Sequence, residues 1–150
     1  LIDYYGIKAK HAFPDWEVAH LIQDKYERMY VLERAMLSSL DSKIQSRFLP
    51  YLQLHEFEGL LFNDIDVLES YIPEDDFVGI NEIRDIINQF DNPELINDSF
   101  ENAPSLRLKR GIIGYNKVID GPQIAKYIGI DRIRKKCIRF NEWLNKIENF

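Results

Sequence analysis

Two short apolar runs, Leu1 to Tyr5 and Phe48 to Leu54, flank a stretch whose apolar residues recur at helical spacing, and this arrangement limits the fold more than any other feature. The first run is stopped by Gly6 and reads as a strand leaving a sheet. The second is apolar on both faces apart from Gln53, the pattern of a strand covered by helices on both sides. Pro50 argues against a central position, because it has no N–H to give to a ladder. Between the runs lies "KAKHAFPD", a loop in which Pro14 excludes a helix interior. Tyr26, Met29, Tyr30, Leu37 and Leu40 then predict a long amphipathic helix from about Trp16 to Leu40. Strand, helix, strand implies a crossover, and so parallel pairing. The opening "LIDYYG" resembles the second half of a strand, which predicts a natural chain that begins upstream.

Beyond Phe62 the periodicity is helical. "DIDVLESYI" and "INEIRDIINQF" predict two helices, the second stopped by Asp91-Asn92-Pro93, and "NPELINDSFENAPS" reads as a linker. A short helix is expected from about Ser105 to Arg110, and Pro122 with Gly129 brackets another over "PQIAKYI". Ile130, Ile133, Cys137, Phe140, Leu144 and Ile147 step by three and four, which predicts a final helix with Cys137 in the core. The expected fold class is α/β, a parallel-sheet core with a helical C-terminal half. At 150 residues and 45% hydrophobic content, one domain over 1–150 is expected.

Charge divides that domain. From Ala103 to Phe150 there are 11 Lys and Arg against 4 Asp and Glu, which leaves 8 against 21 in the remainder and a net charge of -6. A basic end predicts an anionic partner, and an acidic part of about 1–102 allows a cation site. A single cysteine excludes an internal disulfide framework, and the apolar runs fall short of the roughly 20 residues that span a membrane. A reducing, cytoplasmic setting is expected, with no membrane.

His55-Glu56-Phe57-Glu58 follows the second strand, at the end where open parallel sheets place ligands. In a regular helix positions 56 and 58 point about 200° apart, so both carboxylates face one site only if Glu56 is still on the turn. Asp3 ends the first strand in the same way. Asp3 and Glu56 as hard oxygen donors, without a cysteine pair, suit Mg²⁺ or Mn²⁺ better than zinc. Asp3 reads alternatively as a turn residue, and Glu58 equally as a first-turn helix stabiliser or a third ligand. His55 reads more readily as an orienting hydrogen-bond partner than as a ligand.

At the basic end Arg132, Lys135, Lys136 and Arg139 fall at spacings of three and four, which predicts one continuous cationic face on the last helix. Lys109 and Lys117 add charge upstream. Nucleic acid is the counterpart expected from Lys109, Lys117, Arg132, Lys135 and Arg139, since a phosphate backbone is bound by charge. An acidic protein surface is the alternative.

The stretches "LIDYYG", "PYLQLHEFEGLLF", "PELIND" and "APSLRLKRGIIGYNKVIDGPQIAKYIGIDRIRKKCIRFNEWL" resemble the bacterial domain-of-unknown-function family 4276, regarded as TOPRIM-like. The likeness implies a TOPRIM-like core, a metal-dependent nuclease site and a partner AAA-type ATPase, in the manner of anti-phage abortive-infection systems. Asp3 matches the family's strand-end aspartate, and His55, Glu56 and Glu58 match its "HEFE" run. Ser105, Lys109, Tyr115, Lys117, Asp120 and Gly121 match its C-terminal block, for which the likeness implies no role. A TOPRIM site normally carries a glutamate on its first strand and an Asp-x-Asp pair, whereas Asp3 here is followed by Tyr4-Tyr5. The expected activity is phosphodiester cleavage, with Asp3 and Glu56 on Mg²⁺ or Mn²⁺ and Glu58 and His55 assisting. A non-catalytic module that docks on the ATPase is the competing expectation, and self-association is left open.

Overall fold

The structure, a computed structural model, describes residues 2–7, 11–97 and 100–150, and of Tyr5 and Phe100 only the backbone. Leu1 of the expected first strand, Lys8 to Lys10 of the expected loop, and Asp98 and Ser99 of the expected linker lie outside the described residues. The chain forms two compact units, one of residues 1–54 with 143–150 and one of residues 55–142.

In the first unit β1 (Ile2–Asp3) and β2 (Leu52–Gln53) pair in parallel, with Ile2 beside Leu52 and Asp3 beside Gln53. Parallel pairing was the sequence expectation; the strands are shorter than expected. The backbone leaves β1 at Tyr4–Gly6 in a 3₁₀ turn closed by the Ile7 N–H on the Tyr4 carbonyl. At β2 the Leu52 N–H donates to Oε1 of Glu33 at 2.8 Å, so a side chain takes the place of a further strand. The α/β class thus holds only as a two-stranded parallel sheet in an otherwise mostly helical chain.

Among the described residues, α1 (Trp16–His20), α2 (Lys25–Ser38) and α3 (Ser42–Gln45) link the strands. The single helix expected over 16–40 is therefore two. Asp24 is extended and its carboxylate accepts the Glu27 N–H at 2.8 Å, which starts a new helix. The Arg28 guanidinium closes the gap by donating twice to the Ile22 carbonyl. Ala19, Met29 and Leu32 pack with Ile7, Leu52 and Leu54 as this unit's core. Trp143 stacks on Tyr51, with ring centroids 4.9 Å apart.

The second unit opens with a 3₁₀ turn at Phe57–Leu61, followed by α4 (Ile65–Tyr71), α5 (Ile80–Gln89), α6 (Pro104–Gly111), α7 (Asp120–Ile128), α8 (Ile130–Lys136) and the start of α9 (Ile138–Glu148). Leu60, Leu61, Phe62, Leu68, Ile83, Leu108, Ile124 and Cys137 are central to its core. The ends of α5 and α6 meet backbone to backbone. The Gly79 N–H donates to the Gly111 carbonyl at 2.9 Å, and a Cβ on Gly79 would stand 2.4 Å from the Gly111 Cα.

The last apolar stripe is also two helices. Cys137 breaks it with an extended backbone (φ -98, ψ 91), and the buried Glu94 carboxylate accepts the N–H groups of Arg139 and Phe140 at 2.9 and 3.0 Å, which starts α9. Arg139, expected on a continuous cationic face, is instead 2% exposed, so the nucleic-acid contact assigned to it is withdrawn. Cys137 is buried as expected, and burial first, then the Glu94 carboxylate, pushes its thiol well up, as befits a core residue. Among the described residues no helix is long and apolar enough to cross a membrane.

Candidate functional site

The chain leaves β2 through Leu54 into buried His55, and Glu56 keeps an extended backbone (φ -83, ψ 156) before the 3₁₀ turn begins. Glu56 is thus still on the turn, the condition under which it and Glu58 can serve one place. Both approach Lys117, whose Nζ lies 3.1 Å from Oε2 of Glu58 and 4.0 Å from Oε1 of Glu56. The other Glu56 oxygen, Oε2, accepts the Ser105 N–H at 2.9 Å in the first turn of α6, where a helix favours a carboxylate. Gly59 keeps this turn close to its neighbours, since a Cβ there would stand 3.3 Å from the Pro93 carbonyl oxygen.

Glu58 is 0% exposed, and neither of its oxygens has a hydrogen-bond partner among the described residues. Lys117 is near enough to attract it but is not aligned as a hydrogen bond. A fully enclosed carboxylate without hydrogen bonds is costly unless its charge is met. Lys117 meets that charge.

The α6–α7 loop aims Lys117. Gly114 takes a positive φ of 75, Asn116 Oδ1 accepts the N–H groups of Val118 and Ile119, and the Asn116 N–H donates to Asp120 Oδ2 at 2.6 Å. Ser105, Leu106, Lys109, Tyr115, Asn116 and Lys117 line a depression of ≈ 410 Å³. The hydroxyl of Tyr115 is buried and has no hydrogen-bond partner among the described residues. Gly121 lies beside that hydroxyl, where a Cβ would meet it at 3.6 Å and the Phe57 ring at 3.7 Å, both ordinary contacts.

Burial, then the Glu58, Asp120 and Glu56 carboxylates, push the Tyr115 phenol well above its ordinary value. The folded chain therefore holds a proton that the unfolded chain gives up near pH ~10. This contribution to stability is complete below that pH and is lost as pH rises towards the folded-state value. Tyr115→Phe is expected to flatten the alkaline fall in stability above about pH 10 in denaturant titrations. Identical alkaline limbs in the two chains would refute this placement.

Of the residues expected at a site, Glu56, Glu58 and Lys117 are brought together, and Lys109 shares the depression with Lys117. Asp3 belongs to the first unit, where it pairs with Gln53 in the sheet. On α8, Arg132 pairs with Asp64 at 3.6 Å and donates to the Ile128 carbonyl, while Lys135 is exposed. Lys136 donates to the Asn63 carbonyl at 2.5 Å. Sequence reasoning assigned no role to Tyr115 or to the Ser105 N–H. Their place in the C-terminal block was the only signal for them.

Among the described residues no group of three or more His, Cys, Asp or Glu side chains is arranged to hold a metal ion. What the second unit offers is a carboxylate pair with unmet acceptor capacity beside a cationic depression. The profile of the family described as Domain of unknown function (DUF4276) matches residues 1–148. No curated protein and no solved structure matches the chain.

Proposed function

The chain belongs to the DUF4276 family, and we propose that it is a Mg²⁺- or Mn²⁺-dependent, TOPRIM-like nuclease domain of a prokaryotic anti-phage system, cleaving phosphodiester bonds. The observation that carries this reading is Glu58, a wholly buried carboxylate with hydrogen-bonding capacity to spare, next to Glu56 and a lysine-lined depression. Mg²⁺ commonly binds through one or two carboxylates and completes its shell with water and substrate phosphate, a minimum that Glu56 and Glu58 satisfy. A divalent ion held there would supply Lewis-acid polarisation of a phosphoryl oxygen.

The chain's own groups do the rest. Lys109 and Lys117 attract and seat the phosphate, as charge recognition of a nucleic-acid backbone requires. Buried His55, which precedes Glu56 in the chain, is assigned to orienting one of the carboxylates, as the family likeness implies. For Asp3, which lies in the first unit, a metal role rests on the family likeness alone, and it is tested by substitution.

Incubation of the chain with plasmid DNA or RNA and Mn²⁺ tests the proposal. Cleavage lost in Glu56→Ala and in Asp3→Ala supports both assignments. Cleavage that survives either substitution removes that residue from the metal set, and absence of cleavage by the unsubstituted chain counts against the nuclease reading.

One observation favours a second reading, a non-catalytic module docked on a partner AAA-type ATPase. Val118 and Ile119, next to Lys117, are 81% and 63% exposed, apolar surface of a kind that a protein partner covers. Co-purification with the ATPase, abolished by charge reversal at Arg132 and Lys135 and accompanied by no detectable metal binding, would select it.

A further inference from the structure

We infer that Lys117 is the resident counter-ion of the carboxylate pair, and that a divalent cation loads by displacing its ammonium into the adjoining depression. The inference rests on the metal reading above and adds its regulation: the site is closed to metal by a side chain of the same chain.

Three observations carry it. Glu58 is wholly enclosed and makes no hydrogen bond among the described residues, so the positive charge 3.1 Å away is what makes its burial tolerable. The same Nζ stands 4.0 Å from Oε1 of Glu56, so one ammonium faces both carboxylates that a metal would use. Two cations cannot share that position, because like charges a few ångströms apart in a poorly solvated place repel strongly. Lysine and metal therefore exclude each other.

Release of the lysine is easy. Its side chain is 54% exposed, on a four-carbon stem with many rotamers, while Asn116 and Asp120 fix the backbone beneath it. Rotation about the side chain carries the ammonium away from Glu58, and Lys117 already lines the depression together with Lys109. Metal entry thus moves a positive charge from the carboxylates towards the place where a phosphate is expected. Loading the metal and gathering the substrate become one event.

Mn²⁺ binding to the full chain, followed by the paramagnetic resonance of free Mn²⁺, tests this without any assay of activity. Lys117→Met is expected to bind Mn²⁺ on the order of tenfold more tightly than the unsubstituted chain, a difference of about 1.4 kcal/mol. Lys117→Gln, which leaves Glu58 a neutral donor, is expected to shift affinity in the same direction and guards against a Met variant that fails to fold. Lys126→Met, on the exposed face of α7, removes the same charge elsewhere and is expected to leave affinity within about twofold of the original, since exposed and distant charges are screened. Binding by the unsubstituted chain with equal or weaker affinity in both Lys117 variants overturns the inference and leaves the metal reading in place. No Mn²⁺ binding by any of these chains overturns both.

Discussion

Glu94→Ala is expected to destabilise the second unit by about 4 kcal/mol, the largest stability loss anticipated for any one side chain here. The Glu94 carboxylate is buried and accepts the Arg139 and Phe140 N–H groups at 2.9 and 3.0 Å. Those donors open α9, where a helix has no internal acceptors for its first N–H groups. Charge-assisted hydrogen bonds contribute about 1.5–3 kcal/mol each, and truncation leaves both donors unsatisfied. Glu94 is itself held in place, since its N–H donates to the Asn92 side chain at 2.9 Å. Urea denaturation measures the loss. Glu94→Gln, which keeps one acceptor oxygen, is expected to lose less than half as much, and an Ala variant with an unchanged midpoint would show that α9 starts without this cap.

Glu58→Gln is expected to separate function from stability. If Glu58 holds the ion, its replacement lowers Mn²⁺-dependent cleavage by at least about 100-fold, because even groups that only orient metal ligands are worth 10–100-fold. The same change exchanges a wholly buried carboxylate for a neutral amide of similar shape. Burying a charge opposes folding, and the Lys117 ammonium that loses its partner is 54% exposed, so the change leaves no uncompensated charge buried. The thermal midpoint of Glu58→Gln is therefore expected to stay level or rise while activity disappears. A chain that loses activity only because it unfolds would instead mark the Glu58–Lys117 pair as a structural salt bridge.

How far the sequence anticipates these features depends on how local their causes are. Parallel pairing of the two strands follows from strand-helix-strand order. The helices at 65–71, 80–89 and 120–128 follow from apolar spacing and from Pro and Gly at their ends. The convergence of Glu56 and Glu58 follows from a stated condition, that Glu56 remain on the turn, and its extended backbone meets that condition.

The misses have distant or competing causes. The expected helix begins at about Trp16 although its apolar stripe starts at Tyr26, and the Asp24 cap and the Arg28 bonds to the Ile22 carbonyl divide it between the two. The apolar run at 48–54 pairs with one strand only, and Glu33 takes the Leu52 N–H where a further strand would bond. The even cationic spacing through Arg139 misleads because Glu94, far upstream in sequence, reorganises the start of α9 and Arg139 is buried. Nothing in the spacing of residues 58 and 117 announces that they meet. The loop geometry set by Gly114, Asn116 and Asp120 decides it.

The central claim is that Glu56 and Glu58 form a divalent-cation site. Anomalous diffraction from crystals of the chain soaked in Mn²⁺ tests it most directly. The account predicts a peak about 2.1 Å from an oxygen of each carboxylate, with the Lys117 ammonium turned away from Glu58. Full Mn²⁺ loading elsewhere, with no peak between the two carboxylates and Lys117 still 3.1 Å from Glu58, would contradict it.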